Sequence, residues 1–583
     1  MIIEQQTSQP TSSSNLDRTR IAIVAVVVVL AVAIGAVLGS VLIARGGAPL
    51  AGAAAYVPED AVIYAEARLD LPGAQRDNLR ALLERFPAAD ADAILTDALA
   101  DTLDGALAGG GAPFDYSNDI APWFDGTVAV AMLDYPLNAD PMQMQAPAGL
   151  VLFGVRDSAA AADFADTVRG QLEEQGAAFT SSDHDGTTVW SLQVDPATMG
   201  MVSGMGFAYA VAGDQLIMAT GDAQVSAALD TRSGGKALAD RGDVGRLMSS
   251  LPDERSGVMV INSEAMLSQM RAQLESSQPA LADALAPYLD AAPPITVGAL
   301  SLASDAMLLD TVSALPDGPA APSNGSRTLA EMVPADAIFY ADSTRVGATL
   351  ETFVAAMKAS LASGPDGDAM LQQLDQVEAA LGADLEELVN WIGAGAMTAG
   401  WDGEEVYVGL VLDAIDPTAA ERRLSQLRSF AELAATDPSS GISVQTRSVN
   451  GVEVTTLRVE QSGALAFGTP FAPALQYAID GDRVVIGLGD RFVEAALGMD
   501  AADSFARSDR YATAVERFGG ADNAATVFVD LAALRQAAEV GAGMQDDPGY
   551  AQIKPNLEPF DYLVGVTRVS GDRVVAREGL VLR

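Results

Sequence analysis

Two closely similar stretches, YVPEDAVIYAE at residues 56–66 and MVPADAIFYAD at residues 332–342, decide the fold of this chain. The second stretch begins 276 residues after the first, in a chain of 583 residues. Further matching segments follow each stretch in the same order and at a similar spacing, as an internal duplication requires. A chain of this length is also too long for one ordinary hydrophobic core. The sequence therefore predicts two tandem copies of one folding unit.

The longest matching segments are YAVAGDQLIMATGDAQVSAAL from Tyr209 and YAIDGDRVVIGLGDRFVEAAL from Tyr477. Each contains two apolar runs separated by Gly-Asp, which predicts a hairpin, and then a helical pattern. Asp222 and Asp490 precede these helical patterns, where an N-cap residue is expected. Both copies are thus predicted to share a hairpin followed by a capped helix.

Strand patterns separated by short turns alternate with amphipathic helical patterns in each copy. Asp185-Gly186 and Asn450-Gly451 suit the positive φ angles of a tight hairpin. Many hairpin-linked strands with interspersed helices favour an α+β fold, in which helices pack on a largely antiparallel sheet. Trp123 and Trp391 recur at matching positions beside strands, which favours a role in the core. The strand order cannot be read from the sequence.

A run of 24 uncharged, mostly apolar residues at positions 21–44 is the strongest single signal in the sequence. As a helix it would be about 36 Å long, enough to cross a hydrocarbon layer of about 30 Å. A cleavable signal peptide is the alternative, because small residues follow the run, but the apolar core of a signal peptide is usually only about 7–15 residues long. We therefore expect an uncleaved single-pass signal anchor in the cell membrane, with the N-terminus cytoplasmic and the C-terminal domains extracytoplasmic.

The predicted domain organisation has five parts. Residues 1–20 form a cytoplasmic tail that is predicted to be disordered, and residues 21–44 form the transmembrane helix. The first α+β repeat covers residues 54–314 and the second covers residues 332–583. The linker at residues 315–331 contains LPDGPAAPSNGSR, whose three prolines and two glycines show no apolar periodicity.

Composition excludes several classes of function. Acidic residues outnumber basic ones 78 to 34, so the net charge of −44 repels nucleic-acid phosphates and anionic lipid surfaces. Adaptation to a salty habitat is one possible reason for this acidity. The chain has no cysteine, which excludes disulfides, thiolate metal sites and a thiol nucleophile. Nucleic acid is therefore not expected as a partner.

A search for catalytic motifs finds no phosphate-binding P-loop, no nucleophile elbow and no HExxH zinc motif. His184, the single histidine, lies between Asp183 and Asp185, where a carboxylate could orient an imidazole for acid–base chemistry. It also lies beside a predicted hairpin turn, which favours a solvent-exposed turn residue. The sequence predicts no enzyme, no catalytic residue, no cofactor and no metal site.

Two apolar, glycine-containing connections at matching positions are unusual, because connections between strands are normally solvated. They are PATMGMVSGMGF in the first copy and SGALAFGTPFAPAL in the second. The candidate interaction residues in them are Met199, Met201, Met205, Phe467 and Phe471. These side chains could contact a hydrophobic ligand, a partner protein or the membrane surface. The alternative is that both connections fold back onto their own sheets.

An N-terminal span followed by VPEDAVIYAEARLDLPGAQRDNLRALLERFP resembles the uncharacterised bacterial membrane proteins of the domain of unknown function 3352 family. The resemblance covers most of the exported part, roughly residues 54–583. It implies this membrane topology, and it implies no activity, ligand or catalytic residue.

The sequence favours a membrane-anchored, non-enzymatic binding or scaffold module of the cell envelope, with an envelope protein as partner and an oligomeric state that stays open. One alternative is a carrier or sensor of a lipid-like hydrophobic ligand, and a minor one is a hydrolase that relies on carboxylates alone. A flat exposed apolar patch would favour the scaffold, a deep apolar cavity the carrier, and an acidic cleft the enzyme.

Overall fold

The computed structural model describes residues 52–583 apart from short gaps at 69–73, 88–90, 92–103, 105–113, 135–146, 175, 194–205, 278, 280, 283–284, 287–288, 290–291, 319–320, 327, 364–366, 402, 404–405, 438–439, 460–473 and 542–543. The predicted tail and transmembrane span therefore lie outside the described residues. Within the described part of the chain, no helix is both long enough and apolar enough to cross a bilayer.

The described residues form two compact units, which we treat separately. The first contains described residues up to Glu84 and within 89–269 and 297–302, and the second contains those within 85–88, 270–296 and 303–583. These units are defined by packing and not by sequence repetition. The predicted boundaries of the two repeats at residues 314 and 332 stay predictions.

The first unit is built from short strands and helices whose bounds follow in chain order. They are β1 (Ile63–Arg68), α1 (Gln75–Leu83), β2 (Phe124–Met132), β3 (Gly149–Val155), α2 (Ser158–Glu174), β4 (Ala178–His184), β5 (Thr187–Gln193), β6 (Phe207–Ala212), β7 (Gln215–Ala219), α3 (Asp222–Gly234), α4 (Gly242–Met248), β8 (Gly257–Asn262), the start of α5 (Ser263–Ser277) and the central part of β9 (Ile295–Ala303).

Strand pairing in the first unit is antiparallel throughout the described register. The order is β4–β5–β6–β7–β3–β2–β1–β8. The β4–β5 hairpin turns at Asp185 (φ 50°) and Gly186 (φ 82°). These left-handed angles suit the right-handed twist of the two strands, as the dipeptide predicts.

The second unit contains more elements, again given in chain order. They are β10 (Ala306–Ala314), β11 (Gly325–Ser326), β12 (Ala337–Ser343), α6 (Val346–Ser363), α7 (Gly367–Leu381), α8 (Leu385–Val389), β13 (Ile392–Trp401), β14 (Val406–Ala414), α9 (Pro417–Ala434), β15 (Ile442–Val449), β16 (Val452–Val459), β17 (Ala474–Asp480), β18 (Arg483–Leu488), α10 (Phe492–Gly498), α11 (Asp509–Phe518), β19 (Asp522–Asn523), β20 (Ala525–Asp530), α12 (Leu531–Gly541), α13 (Pro548–Leu557), β21 (Phe560–Ser570) and β22 (Arg573–Leu582).

The second unit pairs its strands in the order β15–β16–β17–β18–β14–β13–β12–β20–β21–β22–β10, all antiparallel. Its first eight strands follow the same order as the eight strands of the first unit. The β15–β16 hairpin also turns through left-handed angles, at Asn450 (φ 51°) and Gly451 (φ 87°). The predicted combination of helices with a large antiparallel sheet is confirmed.

One face of the second unit's sheet carries the main core. Tyr340 and Phe528 are almost completely buried there, and Tyr511 of α11 packs against both at ring-centroid distances of 5.4 and 5.8 Å. Edge-to-face contacts of this kind add to the free energy gained by burying apolar area. The sheet is thus closed on this side by helix α11 and its neighbours.

The helix caps differ from the prediction. Asp222 is the first residue of α3, whose N-cap is Gly221, and α10 has Arg491 as its N-cap, without a side-chain cap in either case. Asp490 instead accepts hydrogen bonds from Arg458 at 2.6 and 2.7 Å. The prediction that both aspartates cap helices is wrong, because α3 begins at Asp222 itself, α10 begins two residues after Asp490, and the carboxylate of Asp490 is held by Arg458.

Candidate functional site

The candidate interaction residues Met199, Met201, Met205, Phe467 and Phe471 lie outside the described residues. Their role in binding stays a prediction. The tryptophans are placed as expected: Trp123 and Trp391 are buried, and their indole N–H groups donate to Asp119 O at 2.8 Å and Leu388 O at 2.7 Å. Trp123 therefore belongs to the core of the first unit, and Trp391 belongs to the core of the second.

A continuous row of apolar side chains crosses seven strands of the second unit's sheet. Cross-strand partners in an antiparallel sheet point to the same face, so the register places the following residues side by side: Leu563, Val529, Phe339, Ala399, Val408, Leu488 and Leu475. Met397 and Val527 lie two residues along their strands from this row, hence on the same face. We call these nine residues the open apolar face.

The open apolar face is accessible to solvent. Its larger side chains are between 37% and 55% exposed at five positions: Met397, Leu475, Leu488, Val527 and Leu563. The intervening residues Tyr340 and Phe528 point to the opposite face and are buried. None of the nine residues is titratable, so the face offers apolar contact and no acid–base chemistry.

Helices α6 and α9 cover one end of this sheet face. Val346 and Leu350 of α6 and Leu424 of α9 pack against Leu412 and Tyr477, which are buried on the same side of the sheet. The approach of α6 is close, because a Cβ at Gly347 would overlap the carbonyl oxygen of Ile392. The open apolar face begins where this helical cover ends.

A row on the equivalent face of the first unit's sheet, at the level of Met397 and Val527, is less exposed. It consists of Met259, Ala65, Val130, Val151, Met218 and Tyr209, each of which is buried or half-buried. Within the described residues, the strongly exposed large apolar side chains all belong to the second unit. An open apolar face is thus a feature of the second unit. Sequence reasoning missed it, because an alternating strand gives no sign of which face stays uncovered.

A cavity of about 330 Å³ in the second unit has a different chemistry. Charged side chains dominate its lining, which consists of Arg510, Ala532, Ala533, Arg535, Gln536, Glu539, Lys554, Glu558 and Arg583. Glu539 accepts hydrogen bonds from the Tyr550 hydroxyl at 2.6 Å and from Lys554 at 3.3 Å. The Tyr550 bond is the main cause of the lowered pKa of Glu539. Internal ion pairs therefore account for much of the charge here.

His184 is half-buried, and its Nε2 lies 2.7 Å from Asp230 Oδ1 on helix α3. Asp185 adds a second carboxylate, and one ligand atom from each of the three residues lies within 4.8 Å of the other two. The sequence favoured a solvent-exposed turn histidine and did not anticipate the contact with Asp230, because 46 residues separate the two side chains along the chain.

The chain matches one protein family and has a weak likeness to a solved structure. Residues 21–546 match the family model described as protein of unknown function (DUF3352). No curated protein matches the chain. Among solved structures, the chain is similar to "Structure of crystal form I of TP0453", with 10% identity over 47% of this chain and 80% of that one, and a TM-score of 0.22. Since the family model spans most of the sequence, this chain belongs to the DUF3352 family.

Proposed function

We propose that this chain is a membrane-anchored extracytoplasmic binding or scaffold module without enzymatic activity, whose second unit binds a partner protein through the open apolar face. The face itself supports this, because contiguous apolar surface exposed to water is typical of binding sites. Burying apolar area gains about 25 cal/mol per Å², so a partner that covers the row of seven apolar residues would gain substantial free energy.

The charge of the chain and the shape of its cavity favour a protein as the molecule that binds the open apolar face. The net charge of −44 opposes adsorption to an anionic lipid surface, and the open apolar face contains no cation that would offset it. A carrier would be expected to enclose its ligand in an apolar cavity, whereas the cavity near Glu539 is lined mainly by charged groups. A partner with an apolar patch fits these observations better than a lipid-like ligand does.

The proposed membrane anchor at residues 21–44 is inferred from the sequence. The uncharged run at residues 21–44 has Arg18 and Arg20 before it and Arg45 after it. The excess of arginine on the N-terminal side supports a cytoplasmic N-terminus. The two units would then lie outside the membrane, where an envelope protein could reach the open apolar face.

We also infer that the two units are copies produced by duplication. Three observations support this inference: the matching phrases, the shared order of eight strands, and equivalent local contacts. Val57 O accepts from Leu238 N at 2.8 Å in the first unit, and Val333 O accepts from Phe505 N at 2.7 Å in the second. The copies would then differ in function, because among the described residues the open apolar face belongs to the second copy alone.

Site-specific photocrosslinking in membranes of the source organism tests the proposed function. A benzophenone amino acid at Met397 of the full chain should give a crosslinked protein adduct of discrete mass. Leu488→Glu, placed on the same face, should remove that adduct because it introduces a charge into the apolar contact. Ile553→Glu is the matched control, since Ile553 is 52% exposed on α13 and is not part of the face.

The proposal fails if Met397 gives no protein adduct, or if Leu488→Glu and Ile553→Glu leave the adduct equally strong. An adduct whose mass corresponds to a lipid would replace the protein-binding proposal with the carrier alternative.

A further inference from the structure

Two elements of the first unit bring together the single histidine of the chain and two carboxylates. His184 and Asp185 lie at the β4–β5 turn, and Asp230 lies in the last turns of α3. Asp183 Oδ1 accepts from Gly186 N at 3.2 Å, which holds the turn, and Asp183 is not one of the three clustered residues. The cluster therefore depends on the turn and the helix together.

The electrostatic surroundings of the cluster favour a cation. Among the described residues, no arginine or lysine forms an ion pair with Asp185 or Asp230. Asp230 also lies close to the C-terminal end of α3 at Gly234, where the helix dipole is negative and stabilises positive charge. The excess of acidic residues over the whole chain adds a diffuse attraction.

We propose that His184, Asp185 and Asp230 form a binding site for a divalent cation of the zinc class. Zinc binds an imidazole nitrogen and carboxylate oxygens at about 2.0–2.2 Å, and three protein ligands leave one position for water. Tetrahedral ligands at such distances lie roughly 3.3 Å apart, so side-chain rotations would bring atoms within 4.8 Å of one another into place. The imidazole favours zinc over magnesium or calcium, which prefer oxygen ligands.

The second unit lacks this arrangement at its corresponding turn. Asn450 Nδ2 donates to Leu497 O of α10 at 3.1 Å, so a neutral amide links hairpin and helix there. In the first unit a bound cation would link β4–β5 to α3 in the same place. The proposed site goes beyond the proposed function and does not depend on the open apolar face.

The single histidine provides a direct test. Full chain labelled with ¹⁵N-histidine gives one imidazole NMR signal set, which is followed as ZnCl₂ is added in about 0.2 M NaCl to screen diffuse binding. We expect the signal to shift and to saturate at one equivalent. Asp230→Asn and Asp185→Asn should each weaken binding at least tenfold, since each removes an anionic ligand. Asn tolerates the left-handed turn, as Asn450 shows, so the second variant preserves the fold.

Asp183→Asn is the matched control, because Asp183 is an adjacent carboxylate outside the cluster. We expect its zinc affinity to stay within twofold of the unsubstituted chain. An imidazole signal that does not respond to zinc, or equal loss of affinity in the Asp183 and Asp230 variants, would overturn the proposal.

Discussion

Tyr340 donates a hydrogen bond from its hydroxyl to Asp342 Oδ2 at 2.7 Å, and both residues are buried. Tyr64 makes the same bond to Glu66 Oε2 at 2.5 Å in the first unit, also buried. In each case the partners are two residues apart on a strand and therefore share a face. Each opening stretch of the sequence thus places a tyrosine–carboxylate pair within its own unit.

Removing the Tyr340 hydroxyl should destabilise the second unit. Tyr340→Phe leaves Asp342 Oδ2 without that donor, and a lost hydrogen bond to a buried acceptor costs about 1–3 kcal/mol. Tyr64→Phe should have a similar effect in the first unit, where burial already raises the pKa of Tyr64 well above its usual value. Urea unfolding of the full chain measures both effects.

Tyr209→Phe is the matched control, because the Tyr209 hydroxyl is buried and has no hydrogen-bond partner among the described residues. Its removal should be neutral or slightly stabilising. Equal destabilisation by all three substitutions would contradict a specific role for the two hydrogen bonds.

Gly409 of β14 should not tolerate a larger residue, because an added Cβ would overlap the ring of Phe492 in α10. We expect Gly409→Ala to destabilise the protein by about 1–3 kcal/mol through overpacking. Gly149 lies in β3, the strand at the same place in the first unit's strand order, and a Cβ there would lie 3.5 Å from Ala131 O, at ordinary contact distance. Thermal unfolding should therefore show a clear loss for Gly409→Ala and little change for Gly149→Ala; the reverse order would contradict this packing.

Two leucines of the second unit's sheet separate covered from open surface. Leu412 lies under α6 and α9, so Leu412→Gln should cost about 2–5 kcal/mol through lost packing and a buried amide. Leu488 is 55% exposed on the open apolar face, so Leu488→Gln should change stability by only about 0.5 kcal/mol. Chemical denaturation compares the two, and a large loss for Leu488→Gln would mean that this face is covered.

The Asp305–Arg517 ion pair should give a pH-dependent contribution to stability. Two hydrogen bonds at 2.7 and 2.8 Å from Arg517 lower the pKa of Asp305. Because the pKa is lower in the folded state, the contribution is present above the unfolded value of about 4 and disappears as the pH falls through the folded value. Solvent screens this half-exposed pair, so we expect less than about 1 kcal/mol at neutral pH.

Asp305→Asn should therefore reduce stability at neutral pH, and the difference from the unsubstituted chain should vanish in acid. Denaturant titrations at several pH values measure this difference. Glu516→Gln, an exposed change on the same helix as Arg517, should show no comparable pH dependence. A difference for Asp305→Asn that persists or grows in acid would contradict the sign.

The sequence predicted features that depend on local chemistry. The turns at Asp185 and Asn450 follow from dipeptides that accept left-handed angles, and the alternation of helices with hairpin-linked strands follows from the periodicity of apolar residues. The order in which the strands pair could not be predicted from the sequence, because it depends on tertiary contacts. For example, β3 pairs with β7 and not with its chain neighbour β4.

The features of the candidate sites were harder to predict from the sequence than the fold was. The meeting of His184 and Asp230 depends on how the hairpin packs on α3, and alternation in β13 or β18 does not tell which face helices will cover. The candidate residues that sequence did suggest, such as Met201 and Phe467, lie outside the described residues.

The most direct test of partner binding at the open apolar face is hydroxyl-radical footprinting of two methionines. Met397 lies on the face and is 45% exposed, and Met370 on α7 lies away from it and is 47% exposed. The account predicts that Met397 oxidises several-fold more slowly in native membranes than in the purified full chain, whereas Met370 oxidises equally fast in both. Equal oxidation of Met397 in the two preparations would contradict it.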